Sequence, residues 1–346
     1  MGSELTIINA FQRALAGEPQ RTPPVWLMRQ AGRYHQHYQA LRRQHRFEDL
    51  CRIADLAATV AMGPIDDFDF DAAILFSDLL FPLEALGMSL SYDDGPPKLD
   101  GPLDDGRISA FRSLDDALPR LRFQADALAE TRRRLPAGKG LIGFVGGPWT
   151  LFVYAMEGSH AGAMRLSKSS WALYRRFAQR VTPLLQAGIA AQLDAGADVV
   201  MVLDTAAGEL PPDYFDREVG PDLLALAGSR PGRIGYYAKA AHPALFEGAM
   251  RDGSWAGFGV DSRWRVADLL KQPGRRGFVQ GNFDPAWLFL SRPDLDDAIA
   301  RFLEPMLALS ETERRGWICG LGHGVLPGTP EPAVRAFVES VRRAFA

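Results

Sequence analysis

Cysteine is nearly absent from this chain: Cys51 and Cys319 are the only two in 346 residues. Two cysteines cannot build a disulfide framework, and no C-x-x-C pair exists for a structural zinc site. A reducing compartment fits best, so a cytoplasmic protein is expected. Lysine is scarce too, at five residues, and basic charge is carried mainly by arginine. The formal net charge is −3, from 39 basic and 42 acidic side chains, which argues against a surface built for nucleic acid. No apolar run approaches the roughly 18–20 residues of a membrane span. The first 18 residues lack a basic region ahead of their short apolar stretch and do not read as a secretory signal. Residues 1–6 do fit the N-myristoylation pattern, which also arises by chance, and an unmodified Gly2 is expected. Fingerprints of nucleotide loops, zinc proteases and serine hydrolases are all missing: there is no G-x-G-x-x-G after a strand, G-x-x-x-x-G-K-[ST], H-E-x-x-H or G-x-S-x-G.

What is present is alternation. Eight short runs rich in Val, Ile, Leu and Phe end in a polar residue or glycine: 25–28, 72–77, 141–146, 199–204, 234–238, 255–261, 278–283 and 317–322. Segments of helical spacing lie between them, including 115–135, 167–195, 221–227, 263–271, 294–309 and 331–344. Apolar strands alternating with helices imply a parallel sheet covered on both faces. Eight strands suit a closed ring, whereas an open doubly wound sheet usually has fewer strands and a glycine-rich first turn. The expected fold is α/β: a single (β/α)8 TIM-type barrel over 1–346, with residues 1–20 as an added N-terminal helix.

Such a barrel carries its chemistry where strands end. The polar residues there are Arg29, Gln30 and Arg33; Asp78; Gly147 to Trp149 with Tyr154; Asp204 and Thr205; Asp261; Asn282 and Asp284; and His323. Six arginines against two acids give residues 29–52 a local net charge of +4. Arginine's planar fork matches carboxylate and phosphate, so Arg29 and Arg33 at a strand exit suggest a polyanionic ligand. Arg43, Arg46 and Arg52 read better as solvated or structurally paired. Asp78 suits ligand N–H groups or developing positive charge, and equally a helix N-cap or a counter-ion to the arginines. Glycines flank His323 and permit close approach or positive φ, which favours a ligand contact. His35, His37, His45, His160 and His242 read as surface. The pair Cys319 and His323 is too little for a zinc site, and only Lys239 is placed for a Schiff base. The residues alone stop at a barrel that binds a small polyanion without metal or nucleotide.

Five blocks go further. Residues 23–34 (PPVWLMRQAGRY), 72–78 (AAILFSD), 147–151 (GPWTL), 280–285 (QGNFDP) and 321–330 (LGHGVLPGTP) resemble the uroporphyrinogen decarboxylase family, in that family's order along the chain. The resemblance implies a cofactor-independent carboxy-lyase, usually homodimeric. Its substrate is a small molecule, uroporphyrinogen III, whose four acetates lose carbon dioxide to give coproporphyrinogen III in heme biosynthesis. It also implies the site residues. Arg29, Arg33 and Arg42 would hold some of eight carboxylates. Gln30, Ala31, Gly32 and Phe47 would complete the substrate wall. Asp78 would accept from four central pyrrole N–H groups and stabilise a cationic ring, and Tyr154, Thr205 and His323 would each hold a carboxylate. Arg29, Arg33 and Asp78 are the catalytic candidates, with Arg29 as proton donor or as the group that positions one.

Some positions depart from the family pattern. His35-Gln36-His37 replace Leu-Pro-Glu, Thr205 replaces serine, Ala206 replaces a larger residue, Gly320 replaces asparagine, and Asp66-Asp67 lie where basic residues are common. They leave room for a paralogue with another substrate preference. Two other functions stay open: a non-catalytic tetrapyrrole-binding paralogue, and a zinc-dependent methyltransferase of the same superfamily, although its His-x-Cys motif is lacking.

Overall fold

The computed structural model describes residues 9–92, 97–243, 246 and 249–346. The possible acylation site at Gly2 lies outside the described residues. Within the first 20 residues, a helix covers Ala10–Leu15, and Asn9 and Gln12 close its N-terminus with a reciprocal capping box. Its Phe11 is buried against Gly140, where a Cβ would fall 2.3 Å from the ring.

Nine strands follow among the described residues. Seven form one parallel sheet in chain order: β1 (Ala72–Ile74), β4 (Gly140–Gly146), β5 (Val199–Leu203), β6 (Ile234–Tyr237), β7 (Gly257–Gly259), β8 (Phe278–Gln280) and β9 (Trp317–Ile318). A small antiparallel hairpin, β2 (Leu90–Ser91) and β3 (Lys98–Leu99), stands apart. All seven parallel strands are buried along their length, as continuous apolar runs covered on both faces must be.

The expected first strand, 25–28, is a strand only at Val25, and the reason is chemical. Val25 bridges to Cys319 beyond β9. On its other side its carbonyl accepts the Asp71 N–H at 2.8 Å, and its own N–H goes to Asp71 Oδ2 at 2.7 Å. Val25 therefore closes the ring between the last strand and the first. Beyond it, the side-chain amide of Gln30 does the work of a ladder. It accepts from Leu27 N–H at 3.2 Å and donates to the Ala72 carbonyl at 2.9 Å. A glutamine wedged between two strands satisfies their backbone groups while holding them apart.

Helices cover the outside. Trp171–Asp194 and Glu331–Ala344 realise the patterned segments closely, as do Arg122–Arg134, Gly220–Ser229, Val266–Leu270 and Arg292–Leu307 with shifted ends. The helix Ala54–Phe68 has nine buried residues and little amphipathic pattern to reveal it. No helix among the described residues is long and apolar enough to cross a membrane.

Candidate active site

A cleft of about 360 Å³ opens at the ends of the strands. Its lining brings together Arg29, Ala31, Gly32, Arg33, Phe47, Asp78, Tyr154, Thr205 and His323, from six separate segments of the chain.

Arg29 sits in the turn after Val25 with φ of 61°, a left-handed conformation that non-glycine residues seldom adopt and that functional loops retain. Its side chain lies against Gly324. A Cβ there would come within 2.4 Å of Arg29 Cδ, so the glycine after His323 makes room for the arginine. Gly322 likewise admits the backbone of Ser262 at 2.4 Å from a hypothetical Cβ. Close approach is what these glycines supply, since neither has positive φ. Neither Arg29 nor Arg33 has an ion pair among the described residues. Elsewhere arginines are met by acids: Arg52 by Glu84, Arg132 by Asp198 at 2.8 Å, and Arg263 by Asp261 at 2.5 Å.

Asp78 follows β1 after three further residues. Its Oδ1 accepts the Leu80 N–H at 2.8 Å, one residue before the helix Phe81–Leu86, so it supports that turn as well as facing the cleft. Burial in the cleft walls pushes its carboxyl above the usual carboxylate range, against the pull of Leu80 and of Arg29. The buried Tyr92 hydroxyl stands beside this carboxylate and helps to hold its charge; burial first, and then Asp78, push the phenol up.

Tyr154 lies on the helix Pro148–Glu157, four residues after Thr150 and so on the same face. That helix is fixed from below: Asp204 Oδ1 accepts from Thr150 N–H at 2.9 Å and Thr150 Oγ1 at 2.6 Å. It is fixed from behind by Trp149 stacked on Trp171, ring centroids 4.8 Å apart. His323 packs flat on Tyr237, whose hydroxyl is 2.9 Å from its Nδ1 and 3.0 Å from the Gly322 carbonyl. One hydroxyl proton serves only one of them. Burial, then Arg29 and Lys239, lower the His323 imidazole to about 4, so it is neutral at pH 7 in the free cleft.

Two residues from the sequence list are placed elsewhere. Gln30 is fully buried and braces the first two strands, as above, behind the cleft lining. Arg42 does not line the cleft; its Nη1 donates to the His45 carbonyl at 2.7 Å, which ties off the end of the helix Gln36–Gln44. Among the strand-end polar groups, Asp204 is saturated by Thr150 and Tyr236, and Asp261 by Arg263 and the Ala240 N–H. Asn282 donates to the Asp261 and Trp264 carbonyls, and Asp284 caps a short 3-10 turn.

His160 reads as a surface residue in the sequence, yet its Nδ1 is 2.7 Å from the Tyr154 hydroxyl. Nothing in its spacing announces this, because the loop after the helix folds it back. The departures from the family pattern are largely structural. His35 is buried, and its Nε2 meets Asp67 Oδ2 at 2.7 Å, so two of the departures are partners. A Cβ at Gly320 would lie 2.5 Å from the Trp26 carbonyl, which leaves no space for asparagine. Ala206 is buried and donates its N–H to Thr150 Oγ1. Among the described residues, no group of three His, Cys, Asp or Glu side chains stands close enough to hold a metal ion.

A family model described as uroporphyrinogen decarboxylase (URO-D) matches residues 6–344. The chain is 37% identical over 351 residues to a uroporphyrinogen decarboxylase of Rhodospirillum rubrum, covering 96% of each protein. It is 34% identical over 340 residues to that of Myxococcus xanthus, covering 96% of this chain and 95% of the other. Among solved structures, a methyltransferase from Methanosarcina mazei superposes with a TM-score of 0.77 at 19% identity, over 98% of this chain and all of that one, which speaks to the fold alone.

Proposed function

The chain belongs to the uroporphyrinogen decarboxylase family, and on that premise we propose that its cleft removes the four acetate carboxyls of uroporphyrinogen III, giving coproporphyrinogen III for heme biosynthesis. One observation carries this reading: Arg29 and Arg33, without acidic partners among the described residues, share a cleft with the half-buried carboxylate of Asp78. Unpaired guanidiniums call for an anionic ligand, and a carboxylate between them and an apolar wall calls for N–H donors or a cation. A reduced tetrapyrrole offers both, carboxylates outside and pyrrole N–H groups within.

The chemistry follows from the substrate. Direct loss of carbon dioxide from a pyrrole acetate would leave a carbanion. A proton added to the adjacent ring carbon gives a cationic ring that accepts the electron pair as the C–C bond breaks. The exocyclic methylene is then protonated to methyl and the ring proton leaves, so each acetate consumes one proton and releases one carbon dioxide. Asp78 stabilises the cation and orients the ring through its N–H groups. Arg33 grips carboxylates, while Tyr154, Thr205 and His323 hold those on the far wall. Arg29 belongs to proton delivery. A guanidinium holds its proton too tightly to serve well as a general acid at neutral pH, so positioning the proton source suits it better than supplying the proton. The family also leads us to expect a homodimer in the cytoplasm that needs no cofactor, formed by one barrel domain per chain.

Anaerobic incubation of the purified protein with uroporphyrinogen III, followed by oxidation and chromatographic counting of carboxyl groups, tests the reading. Passage from eight carboxyls through seven, six and five to four is expected. Substrate that binds and stays at eight would make the protein a binding-only paralogue.

A further inference from the structure

His160 meets Tyr154 in a contact that the decarboxylation scheme leaves unused. The phenol lines the cleft, and its oxygen is 2.7 Å from His160 Nδ1. The rings stand 5.5 Å apart and tilted. His160 itself is half-buried, one side on Tyr154 and the other toward solvent. We propose that His160 is a positioning residue that decides whether Tyr154 donates to, or repels, a substrate carboxylate, so that carboxylate binding draws one proton onto His160. This rests on the reading of the cleft given above.

The reasoning is one of counting protons. A tyrosine has a single O–H. If Nδ1 of neutral His160 accepts it, only oxygen lone pairs face the cleft, and a carboxylate meets repulsion. Once His160 is protonated, Nδ1–H donates to the phenol oxygen, and the phenol proton turns free for the carboxylate. The new bonds are charge-assisted and stronger than the one replaced. No covalent bond changes; the proton comes from solvent on the exposed side of the imidazole.

The surroundings make this state conditional on ligand. Burial, Arg29 and Lys239 all lower the His160 imidazole in the free cleft. His323 sits in the same field and is itself lowered by His160, while Asp78 and Arg29 act on Tyr154. Glu157, at the end of the same helix, is committed to Ser167, whose N–H and Oγ lie at 3.0 and 3.1 Å. No acid among these groups holds a proton on His160 beforehand, so an arriving carboxylate supplies the missing negative charge and raises its proton affinity.

The test is steady-state kinetics with uroporphyrinogen III under anaerobic conditions from about pH 6 to 8.5, where the substrate's carboxylates, near pKa 4, stay ionised. His323, lowered to about 4, stays outside that range in the free protein. Linkage to one proton raises KM as pH rises through the bound-state value of His160, by at most about tenfold per pH unit. We expect the wild type to show such a rise with little change in kcat. His160→Gln keeps a hydrogen-bond partner for Tyr154 but cannot take up a proton, so its KM should be flat with pH and roughly three- to tenfold higher at pH 6. Tyr154→Phe should flatten the profile in the same way, and the double variant should be no worse than the poorer single one, the signature of one coupled unit. A His160→Gln profile that tracks the wild type overturns the proposal, as does strict additivity. A wild type that turns over substrate with a flat KM overturns it as well, because a neutral Nδ1–H tautomer then serves. A wild type with no turnover of uroporphyrinogen overturns the reading of the cleft itself.

Discussion

Asp78 and Asp204 follow β1 and β5, with β4 between them, on the same barrel rim and carry the same functional group. Asp204 is fully buried, and three donors saturate it: the Thr150 N–H and hydroxyl and the Tyr236 hydroxyl. Asp78 has one well-formed donor, the Leu80 N–H, with the Tyr92 hydroxyl beside it, and otherwise faces the cleft and Arg29. Burial raises both carboxyls, yet the two are put to opposite use. A carboxylate whose oxygens are already satisfied fixes a helix. One whose hydrogen-bonding capacity is left open can take a ligand's N–H groups. Position on the rim does not separate the two; saturation does.

The comparison can be broken from either side. Asp78→Ala is expected to lower kcat by about 10²–10³, the scale of losing one preorganised electrostatic contact, while the thermal midpoint barely moves. Asp204→Ala should do the reverse. Three stranded donors cost roughly 3 kcal/mol of folding stability in denaturant titration, and the folded fraction keeps its turnover within a few-fold. If Asp204→Ala abolishes turnover without loss of stability, saturation is the wrong criterion.

Arg29→Ala should reduce kcat/KM by about one to two orders of magnitude, and Arg29→Lys should recover only part of this, because an ammonium lacks the planar fork. Near-full turnover in Arg29→Ala would remove Arg29 from the mechanism. His323 gives a subtler effect, on stability. Its imidazole is lowered to about 4 in the folded cleft, against about 6.5 when unfolded. The unfolded chain therefore binds more protons between those values, and the stability that His323 contributes is complete above about 6.5 and fades as pH falls toward 4. Urea midpoints for wild type and His323→Gln should converge or cross over that interval, and parallel curves would contradict the assignment. The smallest change is expected for Thr205→Val, a rise in KM of a few-fold, about the value of one neutral hydrogen bond.

How far the sequence discloses this molecule varies with the kind of feature. The strands β4 to β6 read directly as apolar runs because a barrel buries both faces of every strand. The amphipathic C-terminal helix Glu331–Ala344 reads to the residue because only one of its faces is covered. Ala54–Phe68 is hidden by its own burial. The first strand is misleading in a more instructive way: its residues look like the others, but the Gln30 amide replaces its backbone ladder after Val25. Gln30 itself, adjacent to Arg29, looks like a site residue and is a brace. Arg42 belongs to a basic run and spends its guanidinium on a helix end.

By itself the sequence determined the barrel, through eight apolar runs spaced by helices, and the family, through motifs whose residue types are tied to their neighbours in the chain. It also placed Arg29, Arg33, Asp78, Tyr154, Thr205 and His323 at strand ends, where backbone direction alone points them to one rim. Only the tertiary structure decided which rim carboxylate is spent and which is open, that His35 answers Asp67, and that His160 reaches Tyr154. Each of those depends on a contact between side chains on different elements or in a folded-back loop. The physical reason is that local pattern reports which face of an element is buried, whereas hydrogen-bond saturation depends on partners the pattern cannot name.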